Sequence, residues 1–288
     1  MKKLLVLTCA ILSAVCATTQ AQTHSSSPAD QLGWQMAIHE RTFANCTLNE
    51  CMNRTAALGL KYMSLSARVK LDDGTSVDTS RLTDAQIADI KKHLAAKGLT
   101  LVNAYVDFPA NEAQCRKKFE FAKKMGIDIL VGEPSPQALD TTAKLAKEFN
   151  IRVAIHDHPQ PSHYWNPQMV LDAIKGRGPL MGACADTGHW VRSGLDPVKC
   201  LKELNGHVFA LHFKDLAEKS PKSHDVPWGS GVSDCKGMME ELQRQGFHGA
   251  FCVEYEYHTD SNTAEVAQCK KFFDKTCAEL AGSGASNR

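Results

Sequence analysis

Five stretches of this 288-residue chain carry side chains able to bind a cation or move a proton. They are Gly132-Glu133-Pro134, His156-Asp157-His158-Pro159, Asp186-Thr187-Gly188-His189-Trp190, His212-Phe213-Lys214-Asp215 and Glu254-Tyr255-Glu256. Imidazoles and carboxylates are the donor types of a divalent metal site. Gathered out of water without a cation, they would each carry a desolvation cost. Taken singly, each has a plain explanation. His212 could be an ordinary loop residue, Asp186 a helix cap, Glu254 a solvated acid, and His158 a structural residue before proline. All five, however, directly follow a short apolar run. That regularity points to one joint divalent-metal site at these strand ends.

The apolar runs are Trp34–Ile38, Leu60–Leu65, Leu99–Val106, Ile127–Val131, Ile151–Ile155, Leu180–Ala185, His207–Leu211 and Ala250–Val253. Their length and β-branched content suit buried parallel strands. Helix-period segments lie between them: Thr83 to Ala96, Glu112 to Met125, Gln137 to Phe149, Val232 to Gln245 and Ala264 to Leu280, with cap residues before or Gly or Asn after most of them. Strand and helix alternate from end to end, and eight such units in about 260 residues predict a single-domain α/β fold, a (β/α)8 TIM barrel over residues 32–281. In a closed barrel the strand ends converge at one mouth, which is where the five polar stretches fall. Two longer intervals, Ser66 to Arg81 and Lys214 to Gly231, follow strands and so belong to that same face. An open doubly wound sheet is the rival, but the first strand runs into His39-Glu40-Arg41-Thr42 without the glycine-rich loop that such sheets place there.

Composition narrows the function. The chain is 43% hydrophobic and 23% charged with a formal charge of +1, which excludes general disorder and offers no basic excess for gripping nucleic acid. Lys2 and Lys3, the apolar run from Leu4 to about Ala17 and Thr19-Gln20-Ala21 form a secretory-signal pattern with cleavage after Ala21, so a periplasmic or secreted protein is expected. The run is too short to span a bilayer comfortably, and no stable membrane insertion is expected. Residues 22–31 are expected to be a flexible leader and residues 282–288 a disordered tail. Of the 11 cysteines, two leave with the signal, and the odd remainder leaves at least one thiol unpaired in the chain. Cys46/Cys51 and Cys269/Cys277 are the local pairs, and export leaves a disulfide open. Oligomeric state is undetermined, and a homo-oligomer stays open.

The run Cys184-Ala185-Asp186-Thr187-Gly188-His189, then Gly194-Leu195-Asp196-Pro197, Leu211-His212-Phe213-Lys214-Asp215, Gly229-Ser230-Gly231 and Val253-Glu254-Tyr255-Glu256, resembles the sugar phosphate isomerase/epimerase family. This is the xylose isomerase-like barrel group that also includes tagatose-type 3-epimerases and inosose dehydratases. The resemblance covers the whole mature chain and is strongest from Ile151 to Glu256. It implies one divalent ion, Mn2+ first with Zn2+, Co2+ and Mg2+ as alternatives, held by Glu, Asp, His and Glu on strands five to eight. By position the last three are Asp186, His212 and Glu254. The strand-five glutamate is replaced by His156, similar to an exported subgroup with a His-Asn-His motif, although the middle residue here is Asp157. Strand alternation puts His156 and His158 on one side and Asp157 on the other. Glu133, one strand earlier, could restore the missing carboxylate, so Glu133 and His156 both stand as ligands.

The implied activity is that of a metal-dependent sugar isomerase or epimerase, which removes a proton α to a carbonyl of a keto-sugar or sugar derivative through an enediolate that a Lewis acid stabilises, with a 3-keto-glycoside lyase as the alternative. Glu254, His158 and His189 are candidate bases, and Lys214 is a candidate partner for a developing oxyanion. His39, Trp165 and Trp228 are candidates for lining the sugar pocket, with core or lid packing as the plain alternative for each tryptophan. Because the resemblance places an acid on each face of the substrate in the epimerases, His156 weakens epimerisation. It leaves room for an isomerase, or for a lyase that expels a group β to a carbonyl, including the aglycone of a 3-keto-glycoside. An endonuclease-type barrel with three metals is disfavoured by strand ends Ser64-Leu65-Ser66 and Tyr105-Val106-Asp107, which lack histidine. A non-catalytic sugar-binding protein and a metal-assisted hydrolase are the remaining rivals.

Overall fold

Eight parallel strands close on themselves in the computed structural model, which describes residues 26–43, 45–257, 259–260 and 262–285. The expected signal segment 1–21 lies outside the described residues. The barrel strands are β1 Trp34–His39, β2 Tyr62–Leu65, β3 Thr100–Tyr105, β4 Ile129–Gly132, β5 Arg152–His156, β6 Met181–Asp186, β7 Val208–Phe213 and β8 Gly249–Val253. They pair in sequence order, and β1 closes the ring on β8 with Trp34 opposite Gly249 and Ile38 opposite Val253. The single-domain (β/α)8 expectation is met.

Alternation along these strands sorts the side chains. One set fills the barrel interior, including Ala154, Cys184 and Ala210 in one cluster and Ala37, Ala250 and Cys252 in another. The other set packs outward against the helices in a continuous core. That outer layer holds Trp228, which stacks edge-on against Phe213 at 4.8 Å and donates its indole N–H to the Phe213 carbonyl at 3.0 Å. Trp228 therefore belongs to the core and not to a sugar pocket.

The two long intervals carry small antiparallel ladders beyond the carboxyl ends of the strands. One pairs Arg68–Lys70 with Ser76–Asp78 after β2, and the other pairs Asp215–Leu216 with Asp225–Val226 after β7. Helices Asp84–Ala96 and Glu112–Met125 match their expected ranges closely, the first opened by a Thr83/Gln86 capping box and the second closed by left-handed Gly126. Short helices at Leu48–Ala57, Pro167–Ile174, Thr187–Arg192 and Pro197–Glu203 carried too few turns for periodicity to expose.

Both expected termini differ. Pro28–Leu32, inside the expected leader, is a helix because Ser27 and Asp30 cap its first turn reciprocally. The last helix runs Asn262–Ala285, past the expected end at 281. The nine described cysteines are free thiols. Cys269 and Cys277 sit on one helix about 12 Å apart along its axis, too far for a bridge. Among the described residues no helix is long and apolar enough to cross a membrane.

Candidate metal centre and active site

The carboxyl ends of β5, β6, β7 and β8 deliver His156, Asp186, His212 and Glu254 to one buried cluster, with one ligand atom from each within 4.8 Å of the others. The strand register explains it: Asp186 lies opposite His212 between β6 and β7, and His156 lies opposite Cys184 between β5 and β6. His156 Nε2 stands 3.1 Å from His212 Nδ1, and His212 Nδ1 stands 2.9 Å from Glu254 Oε2.

Asp186 divides its two oxygens. Oδ1 accepts from the backbone N–H of His189 at 2.9 Å and so caps the Thr187–Arg192 helix. Oδ2 is buried without a hydrogen bond, although Lys214 Nζ lies 2.9 Å away, His156 Nε2 and His189 Nε2 3.6 Å away and His212 Nδ1 3.7 Å away. A carboxylate oxygen faced by several ring nitrogens yet hydrogen-bonded by none suits a cation. Two imidazoles and two carboxylates at this spacing therefore fit a divalent ion.

The electrostatics of the cluster point the same way. Burial alone would raise Asp186 and Glu254, but neighbouring His189, His212 and Lys214 outweigh it and hold both carboxyls well below the usual range. Burial alone would lower His156 and His212, but the facing carboxylates outweigh it and lift them to about 8 and about 9. The site thus draws positive charge onto its imidazoles, which a bound cation would replace.

Glu133 is not part of the four. Its Oε1 lies 3.6 Å from the other edge of the His156 ring, at Nδ1, and hydrogen-bonds His158 Nδ1. Glu133 with His156 and His158 makes a second grouping of ligand-type atoms. Of the two residues proposed for the fourth position, the geometry brings His156 to Asp186, His212 and Glu254. It sets Glu133 at the other edge of that ring, 3.6 Å from Nδ1 and outside hydrogen-bond reach. The two histidines pull Glu133 down to about 2 against the opposing effect of burial.

His156 and His158 share a face, as alternation requires, with rings 4.7 Å apart. Asp157 turns to the neighbouring strand and accepts the Asp186 N–H at 2.8 Å. Burial, reinforced by the Asp186 charge, raises the Asp157 carboxyl well above its ordinary value.

An open cavity of about 420 Å³ lies over the cluster, and its walls include His39, Tyr105, His156, His158, Glu254 and Glu256. His39 Nδ1 is 3.4 Å from Glu254 Oε1, and burial drives its pKa down to about 3, so the ring is neutral. His39 borders the cavity with both ring nitrogens buried. His158 is the exposed imidazole of the group, its side chain 44% accessible. Its Nδ1 faces Glu133, which leaves Nε2 for the cavity.

Three other candidates sit elsewhere. His189 is buried behind the cluster, its Nδ1 3.1 Å from Arg192 Nη1, and burial lowers it to about 3, which argues against a base. Lys214 is buried among carboxylates and does not border the cavity, which argues against a contact with substrate. Trp165 is half-buried in the loop after β5, with no hydrogen bond or ring contact to the cluster among the described residues.

The charges behind the site were not anticipated. Arg192 pairs with Glu256, which also approaches Lys214 at 3.2 Å, and its Nη2 lies 3.6 Å from Asp225. Arg192 sits three positions after His189 on a short helix, a spacing that places both on one face.

Comparison with known proteins agrees with this architecture. The chain is 33% identical over 156 residues to an inosose dehydratase of Lacticaseibacillus casei, a match covering 48% of this chain and 52% of that one. The chain spans about half the length of the curated relatives it matches. A crystal structure of an uncharacterised protein from Parabacteroides distasonis superposes with a TM-score of 0.68 at 33% identity, covering 84% of this chain and 99% of that one. A xylose isomerase-like TIM barrel protein from Mycobacterium smegmatis, solved with magnesium, shares the fold at a TM-score of 0.70 and 15% identity, covering 89% of this chain and 100% of that one. The family profile described as xylose isomerase-like TIM barrel matches residues 52–276. The chain belongs to the xylose isomerase-like TIM barrel family.

Proposed function

We propose that the protein is a divalent-metal-dependent lyase that removes the proton α to a carbonyl of a keto-sugar or cyclic polyol ketone and expels the β-oxygen substituent. The observation that carries this reading is His158 on the cavity wall, hydrogen-bonded to Glu133, beside a ligand set that has a histidine where an opposing glutamate is expected. His156, Asp186, His212 and Glu254 would hold the ion, which when bound supplies Lewis acidity at the substrate carbonyl.

The protein's own groups divide the remaining work. His158 takes the α-proton at Nε2, and Glu133 stabilises the imidazolium that forms. The same imidazolium returns the proton to the departing oxygen on that face, so no second acid is needed. The products are an α,β-unsaturated ketone and water or an alcohol. His212 and Lys214 keep Glu254 ionised, which reserves it for coordination. His39 and Tyr105 border the sugar and help exclude water.

The partial likeness to an inosose dehydratase supports elimination. Isomerisation is the second reading, since the same imidazolium could return its proton to the adjacent carbon. Mn2+ is the first ion to test. Cleavage after Ala21 and export complete the proposal. The test is incubation with keto-sugars, inososes and 3-keto-glycosides in D2O, followed by NMR. An unsaturated product with a released leaving group supports elimination, and deuterium at carbon without a leaving group supports isomerisation. No exchange and no product from any of them, with metal bound, contradicts both.

A further inference from the structure

Lys214 is a fully buried lysine whose ammonium is surrounded by acids. Nζ lies 2.9 Å from Asp186 Oδ2, 3.0 Å from Glu254 Oε2 and 3.2 Å from Glu256 Oε2. None of these approaches has the angles of a hydrogen bond, so the ammonium is held by charge alone. Two of the three oxygens also face the histidines: Asp186 Oδ2 is 3.6 Å from His156 Nε2, and Glu254 Oε2 is 2.9 Å from His212 Nδ1. The ammonium therefore shares its oxygens with the ligand set.

The fold makes room for it. The Lys214 stem crosses the Thr187–Arg192 helix at Gly188, where a Cβ would stand 2.8 Å from Lys214 Cδ and 2.9 Å from its Cβ. The Lys214 backbone is pinned beside it, because its N–H donates to Thr187 Oγ1 at 2.8 Å and its carbonyl accepts from that hydroxyl at 3.0 Å.

We infer that Lys214 is a positioning residue that competes with the divalent ion for Asp186 Oδ2 and Glu254 Oε2, and so limits how tightly the ion is held. This rests on the reading that the four clustered residues hold that ion. A unit charge a few ångströms from a dication opposes it strongly in a buried site. Without the dication, the same charge keeps two buried carboxylates from standing uncompensated. Glu256, shared with Arg192, gives the ammonium a place to lean when the ion arrives. A lysine that merely braced the barrel would not oppose metal binding.

The test is calorimetric titration of Mn2+ into metal-free wild type and Lys214→Met, with melting curves of both. The variant is expected to bind Mn2+ about 10-fold more tightly or better. Its metal-free form should melt lower, and Mn2+ should raise its melting temperature more than that of wild type. Equal or weaker affinity in a folded variant overturns the inference while leaving the ligand set standing. No Mn2+ binding by wild type overturns the ligand set and this inference with it. If the variant does not fold, a crystal structure of the Mn2+-loaded wild type decides. Displacement of Nζ from Asp186 and Glu254 toward Glu256 supports competition, and both short approaches kept unchanged overturn it.

Discussion

His156 presents its two ring edges to two different partners: Nε2 to His212 and Asp186 inside the barrel, and Nδ1 to Glu133 on the cavity side, 3.6 Å from Oε1. One imidazole thus stands between the buried four-residue cluster and the half-buried Glu133–His158 pair. If His156 holds the proposed ion, the nearby Glu133 charge would favour a proton on Nδ1 and leave Nε2 to the ion.

Glu133→Gln should therefore lower both metal affinity and turnover, each about 10- to 100-fold. Metal titration and steady-state kinetics on the one variant check this. Unchanged metal affinity would place Glu133 outside the site.

His158→Ala should separate the two effects. Turnover is expected to fall about 10²- to 10⁴-fold with metal content unchanged, because the role proposed for His158 is proton transfer and it is not one of the four clustered residues. Loss of metal in this variant would assign His158 to coordination instead.

Protons and metal should trade places in the stability of the protein. His156 and His212 titrate at about 8 and about 9, above their ordinary 6.5. Their contribution to stability is full below pH 6.5 and is lost as the pH rises through those values. His39 and His189 are lowered to about 3, so their contribution is present above pH 6.5 and is lost as the pH falls toward 3. The metal-free protein should be most stable near pH 6.5 in urea unfolding, and added metal should reduce the alkaline loss. Metal-free stability that climbs steadily to about pH 9.5 would contradict this.

Gly132 closes β4 against its neighbour so tightly that a Cβ would stand 2.2 Å from the Val106 carbonyl oxygen and 2.9 Å from the Phe108 ring. Gly132→Ala should cost about 1–3 kcal/mol in urea unfolding, because backbone must move. It should also disturb Glu133, the next residue. A neutral substitution would mean the strand end yields more readily than its packing indicates.

Much of this site was legible because barrel topology converts sequence position into place. A polar residue after an apolar run must emerge at the mouth, so Asp186, His212, Glu254 and His156 could be grouped before any coordinates. Alternation likewise put His156 and His158 on one face and sent Asp157 to the other. The choice between Glu133 and His156 was not legible, since it depends on which edge of one ring faces the barrel axis. Trp228 misled for a related reason: a loop tryptophan can turn toward the mouth or back onto Phe213, and only the packing decides. The burial of Lys214 depends on Gly188, a residue 26 positions away in the chain. The helix over Pro28–Leu32 was readable from its Ser27/Asp30 capping box, and the absence of apolar periodicity hid it.

The most direct measurement is the divalent metal content of purified wild type, Asp186→Ala and His212→Ala after identical metal loading, with circular dichroism on each. One equivalent per chain is expected in wild type and almost none in either variant, with the barrel spectrum preserved. Full occupancy in both folded variants would contradict the assignment of these strand ends as the ion's cage.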